Sequence, residues 1–110
     1  MEDTEEFVKK LLLLNKQLVG IFKTGNAEIL KDMNKTVQEL CDIQKRSSEL
    51  LLQSVAPECL IIGENFNHIV TVMRTNEGET MEDSTQKAVN HFLHVINDAS
   101  VLIAKKFQLV

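Results

Sequence analysis

Residues 27–56, AEILKDMNKTVQELCDIQKRSSELLLQSVA, decide the fold. Leu30, Met33, Val37 and Leu40 recur there at spacings of 3, 4 and 3. That is the repeat of one face of an α-helix, which turns about 100° per residue. The seam continues through Gln44 and Ser47 to Leu51, and Lys31, Lys35, Gln38, Asp42, Lys45, Arg46 and Glu49 gather on the opposite face. Asp42 with Arg46, and Lys45 with Glu49, stand one helical turn apart, pairings worth roughly 0.2–0.5 kcal/mol each. No Gly or Pro interrupts the stretch. The spacing therefore predicts one helix over 27–56, about 45 Å long at about 1.5 Å per residue. So long a helix needs apolar cover along its whole length. Asn26 suits its N-cap. Pro57 stops it and suits the first turn of the next helix.

On the N-terminal side, Phe7, Leu11, Leu14, Leu18 and Ile21 step by 4, 3, 4 and 3, with Val8, Leu12, Val19 and Phe22 widening the stripe. Asp3 and Glu6 resemble a capping box. Lys23 suits the negative end of this helix, and Gly25 can take the left-handed cap conformation. On the C-terminal side, Cys59, Ile62, Phe66, Ile69 and Met73 also step as a helix. Cys59–Ile62 and His68–Val72 are β-branched runs that could instead pair as strands. Helix is favoured because the neighbours are helical and an isolated two-stranded ribbon is marginal. Thr75–Thr80 reads as a loop. Asp83 with Gln86 can cap a last helix, whose seam is Val89, Phe92, Ile96, Ala99 and Ile103. The apolar tail, Phe107 and Leu109-Val110, is expected to dock. The expectation is a single all-α domain over 1–110, with helices near 4–24, 27–56, 58–74 and 84–107. They would form a four-helix antiparallel bundle or paired helical hairpins with coiled-coil-like heptad seams.

The length excludes a two-domain enzyme or a Rossmann-type fold. One Pro and four Gly are too few for the turns of a β-sandwich. The net charge of −4 argues against nucleic acid. So does the shortness of the basic pairs Lys9-Lys10, Lys45-Arg46 and Lys105-Lys106. The longest apolar runs, Leu11–Leu14 and Val101–Ala104, fall well short of the roughly 20 residues of a membrane span. The first residues, MEDTEE, are acidic where a presequence would be basic. The expected location is the cytosol or nucleus.

Few residues carry recognisable chemistry. Cys41 and Cys59 lack disulfide-framework or metal-ligand spacing and read as reduced core thiols. His91 and His94 with Asp98 lie within about 60° on one polar helix flank and could hold a divalent metal. No HExxH pattern or further ligand accompanies them, and His68 is not tied to them in sequence. Glu77, Glu79, Glu82 and Asp83 lack the alternating ligands and central Gly of an EF-hand. No P-loop or nucleophile elbow occurs. No catalytic residue, cofactor or metal is therefore assigned.

The function expected by elimination is a non-enzymatic protein–protein interaction module, a small subunit or adaptor of a larger assembly. It would engage a protein partner or form a homodimer. The expected contact is Leu11, Leu13, Leu14, Leu18 and Phe22, together with Leu50, Leu51, Leu52 and Val55. Leu13 points away from the main stripe, beside Gly20, which would admit a close neighbour. Leu60 would likewise face away from its seam. Gln44, Ser47 and Ser48 break the apolar seam; they would set register or partner choice, or else sit at the bundle edge or bond to backbone. Two other readings stay open: a carrier of an apolar ligand between the helices, lined by Met and Phe, and a metal-dependent enzyme built on His91 and His94.

Overall fold

The computed structural model describes residues 2–75 and 83–109, the side chains of residues 83 and 84 excepted. Five helices follow in order: α1 (Glu2–Thr24), α2 (Glu28–Arg46), α3 (Leu50–Gln53), α4 (Ala56–Thr75) and α5 (Asp83–Lys106). No strand occurs among the described residues, so Cys59–Met73 is helical. Each long helix packs on two others: α1 on α2 and α5, and α4 on α2 and α5. Neighbours run antiparallel. Phe7 near the start of α1 meets Phe107 just beyond α5 with ring centroids 5.5 Å apart. Lys10 pairs with Glu39 of α2, and Lys106 at the end of α5 reaches Glu58 at the start of α4 at 2.7 Å. The result is an up-down-up-down bundle. Its core holds the stripes read from sequence: Phe7 to Ile21 on α1, Leu30 to Ile43 on α2, Cys59 to Ile69 on α4, Val89 to Ile103 on α5. On α5, however, Leu93 is buried while Phe92 is half-buried.

The first turn forms as its residues suggest. Gly25 takes φ 65°, and its N–H donates to the Ile21 carbonyl at 2.8 Å. That left-handed conformation ends a helix at little cost for a residue without a Cβ. Asn26 Oδ1 accepts the Glu28 N–H at 3.0 Å, the bond an N-cap side chain makes.

The single helix expected over 27–56 does not form. Helix α2 ends at Arg46, Ser47 and Glu49 are extended (ψ 140° and 128°), and α3 is one turn only. The polar seam residues explain the break. Ser47 Oγ accepts the Glu49 N–H at 3.1 Å, a local bond that competes with helix continuation. Gln44 Nε2 donates to the Leu52 carbonyl at 3.2 Å in a buried setting, tying the far side of the turn back to α2. Of the two choices left by the sequence for this layer, bonding to backbone is the one realised. In a continuous helix Leu51 would join the seam. Here Leu52 and Val55 are buried instead, while Leu51 is exposed and Leu50 is 82% exposed. The bundle end is thus covered by the chain itself.

The break also changes the charge pairing. Asp42 and Arg46 pair at 3.4 Å as expected. Glu49 does not meet Lys45; its Oε2 accepts the Thr4 N–H at 3.1 Å and the Thr4 hydroxyl. The first amides of a helix have no partner within it and carry partial positive charge. Glu49 therefore caps α1 from across the bundle. Asp3 and Glu6 lie inside α1, which already runs from Glu2, and Glu6 reaches Arg46 at 3.6 Å. At the other terminus, Gln108 takes φ 59° and the Leu109 N–H donates to the Ala104 carbonyl at 2.8 Å. This Schellman-type close turns the chain back. Beyond Thr75, the last residue of α4, the expected loop lies outside the described residues. So do the acidic stretch Glu77–Glu82 and the capping side chain of Asp83.

The two sides of the break should respond oppositely to truncation. Leu52→Ala should lower the unfolding free energy by about 2–5 kcal/mol, the range for a buried leucine. Leu50→Ala and Leu51→Ala should each change it by less than about 1 kcal/mol, as exposed substitutions do. Urea denaturation measures all three. A costly Leu51→Ala with a neutral Leu52→Ala would restore the uninterrupted helix.

Candidate interaction surface

The residues expected to form the contact fall into two sets. Leu11, Leu14, Leu18, Leu52 and Val55 are buried in this chain's own core. Leu13, Phe22, Leu50 and Leu51 are exposed, but on different parts of the bundle. Leu13 lies on the side of α1 that leans toward α2, one heptad before Gly20. A Cβ on Gly20 would come within 3.3 Å of Ile29 Cδ1, so the close neighbour that Gly20 admits is α2 itself. Leu50 and Leu51 border a corner groove with Thr4, Glu5 and Glu49. Leu60 is exposed on α4, as its position implied.

A more continuous apolar surface runs along the seam between α1 and α5. The edge of α1 beside its core stripe reads Val8, Leu12, Asn15, Val19 and Phe22 at spacings of 4, 3, 4 and 3. Leu12 and Val19 had the look of flanking core residues. They are 56% and 49% exposed because α1 and α5 are the most loosely packed of the neighbouring pairs. Val101 of α5 and Leu109 beyond it are exposed opposite. Leu12, Asn15, Val101, Ala104 and Leu109 line a groove of about 120 Å³ there, with Leu11 and Ser100 at its base. At the far end Phe22 lies flat on His94, centroids 4.7 Å apart and planes 18° apart. Sequence reasoning missed this seam as a surface. The available signal was the width of the α1 stripe, which exceeds what one core seam can bury.

The histidines do not assemble a metal centre among the described residues, where no group of three potential ligands comes together. His94 turns to Phe22, and His91 lies against Phe92 at 5.9 Å. His68, untied in sequence, stacks on the same Phe92 at 5.2 Å. All three imidazoles thus pack against aromatic rings.

The two cysteines meet across α2 and α4. Cys59 is buried and Cys41 half-buried, and the Cys41 S–H donates to the Cys59 carbonyl at 3.5 Å. Gly63 faces Cys41; a Cβ there would stand 3.6 Å from Cys41 Sγ, an ordinary van der Waals contact. Burial, helped by the neighbouring Cys41 and Glu58, pushes the Cys59 thiol up to about 12. Burial also raises Cys41, against an opposing pull from Lys45.

No family model, curated protein or solved structure matches this chain. No helix among the described residues is long and apolar enough to cross a membrane.

The thiol environment has a pH consequence. Cys59 is raised from 9.0 to about 12, so its neutral form is favoured by the fold. Stability from this source is complete below about pH 9 and is lost as pH rises toward 12. The urea midpoint of the unmodified protein should therefore fall more steeply above about pH 9 than that of Cys59→Ala. Native Cys59 should label far more slowly than Cys41 with a thiol reagent, because the thiolate is the reacting form. Equal, rapid native labelling of both would contradict this environment.

Proposed function

We propose that this chain is a non-enzymatic protein–protein interaction module, a small helical subunit or adaptor acting in the cytosol or nucleus. The observation that carries the reading is the exposed apolar seam of α1 and α5, where Leu12, Val19, Phe22 and Val101 stay in contact with water. Leaving apolar area wet forgoes about 25 cal/mol per Å² of favourable burial. A contiguous stripe of this kind is characteristic of binding surfaces, whereas scattered single leucines are not. Leu50 and Leu51 offer a second, smaller patch at the bundle corner.

The carrier reading draws on a different feature. A groove of about 530 Å³ between α2 and α4 is lined by Leu30, Val70 and Met73, with Lys31 and Arg74 at its edge. An apolar chain with an anionic head would suit that lining. A ligand retained in native mass spectrometry would favour it.

Sedimentation equilibrium tests the interaction reading. Mass above the monomer at micromolar concentration is expected, or a rise in melting temperature when a cognate partner is added. Leu12→Asp should abolish the partner effect and Leu50→Asp the self-association, each leaving the helical circular dichroism intact, since both side chains are exposed. A stable monomer whose binding neither substitution alters would defeat the reading and put the carrier first.

A further inference from the structure

The charges around the α1–α5 seam are not arranged like those elsewhere. Lys10, Lys31, Lys35, Arg46 and Lys106 all have carboxylate partners, most of them on α2. Lys9, Lys16 and Lys23 are exposed along one edge of α1 at intervals of 7, with no ion pair among the described residues. Lys87 and Lys105 are also exposed, with no ion pair to a described side chain, and stand 18 residues apart on α5. That spacing is five turns, so both share one face. The seam therefore runs between two lysine rails. Among the described side chains, the carboxylates on the same edges are Glu2 and Glu5, in the first turn of α1, and Asp98. In a chain whose net charge is −4, this is a local excess of positive charge around an apolar groove.

We infer that the α1–α5 groove receives an amphipathic helix with acidic flanks from a partner protein. The inference deepens the interaction-module reading and rests on it. The apolar stripe from Leu12 to Phe22 spans about 15 Å, close to three helical turns, and presents ridges at the spacing another helix can fill. Asn15 lies within it, and its side chain makes no hydrogen bond to a described residue, leaving it free to fix the register of a guest. The lysine rails decide the guest's charge. A second copy docked by the same face is disfavoured: an isologous contact would set lysine rail against lysine rail.

The test titrates the isotope-labelled full chain with two synthetic helical peptides of about 18 residues, the length of about five turns. Both carry the same leucine seam; one is flanked by Glu, the other by Lys. The Glu peptide should shift amides of residues 8–23 and 94–105 saturably and weaken as salt rises. Lys16→Glu and Lys23→Glu should each weaken it about two- to fivefold, as expected for single exposed charge pairs. Val19→Asp should remove binding with the circular dichroism unchanged. Equal or tighter binding of the Lys peptide at the same seam would overturn the acidic guest and leave the interaction module standing. Shifts confined to α2 and α4, or no binding of either peptide, would overturn the groove itself. Phosphatidylserine vesicles displacing the Glu peptide from the seam would overturn it in favour of an anionic membrane surface.

Discussion

Everything in this bundle depends on the chain leaving the helix at Ser47. A backbone that stops being helical must find other partners for its amides and carbonyls. Three side chains supply them within a few residues. Ser47 Oγ takes the Glu49 N–H, Gln44 reaches the Leu52 carbonyl, and Glu49 goes on to cap α1. The turn is therefore a junction between the end of α2, the start of α1 and the approach to α4. Without it, α2 would run past its neighbours and the leucines at 50–52 would need another chain. With it, Leu52 and Val55 close the bundle from inside.

The long-range order of the fold was legible because hydrophobic period is a global signal. The core stripes of α1, α2 and α4 follow the spacing closely, and the α4 and α5 boundaries lie within two residues of expectation. The break was not legible, because it rests on a balance between similar local bonds. Nothing in Arg46-Ser47-Ser48-Glu49 forbids helix as Gly or Pro would. What tips the balance is tertiary: a buried glutamine finds a carbonyl and a carboxylate finds the start of another helix. Of the expected contact set, five residues proved to be core. Periodicity identifies an apolar face but cannot say whether that face meets its own chain or another. The α1–α5 seam was hidden for a related reason, since Leu12 and Val19 look like core flanks until the angle between two helices is known.

Packing also explains the polar chemistry. His68 and His94 stack on Phe92 and Phe22, and His91 lies against Phe92. Stacking occupies one face of His68 and of His94, while His91 and His94 turn toward different neighbours, although three residues apart on α5. The cysteines are small apolar groups where α2 meets α4, with Gly63 opposite Cys41. The cysteines thus sit as their sequence positions suggested, and the exposed histidines lie against aromatic rings.

The looseness of α1 against α5 has its own physical origin. Three of the neighbouring pairs, α1–α2, α2–α4 and α4–α5, are consecutive long helices joined by short stretches of chain. Connectivity holds each of those pairs at high effective concentration. Helices α1 and α5 are the first and last, and only side-chain contacts bring them together. Their contact is anchored at one end by Phe7 with Phe107 and at the other by Phe22 with His94. Between those clamps the two helices need not approach closely, because α2 and α4 already complete the core beneath. An apolar strip is thereby left exposed between the clamped ends. The place where chain connectivity contributes least to the fold is thus also where Leu12, Val19 and Val101 are left wet.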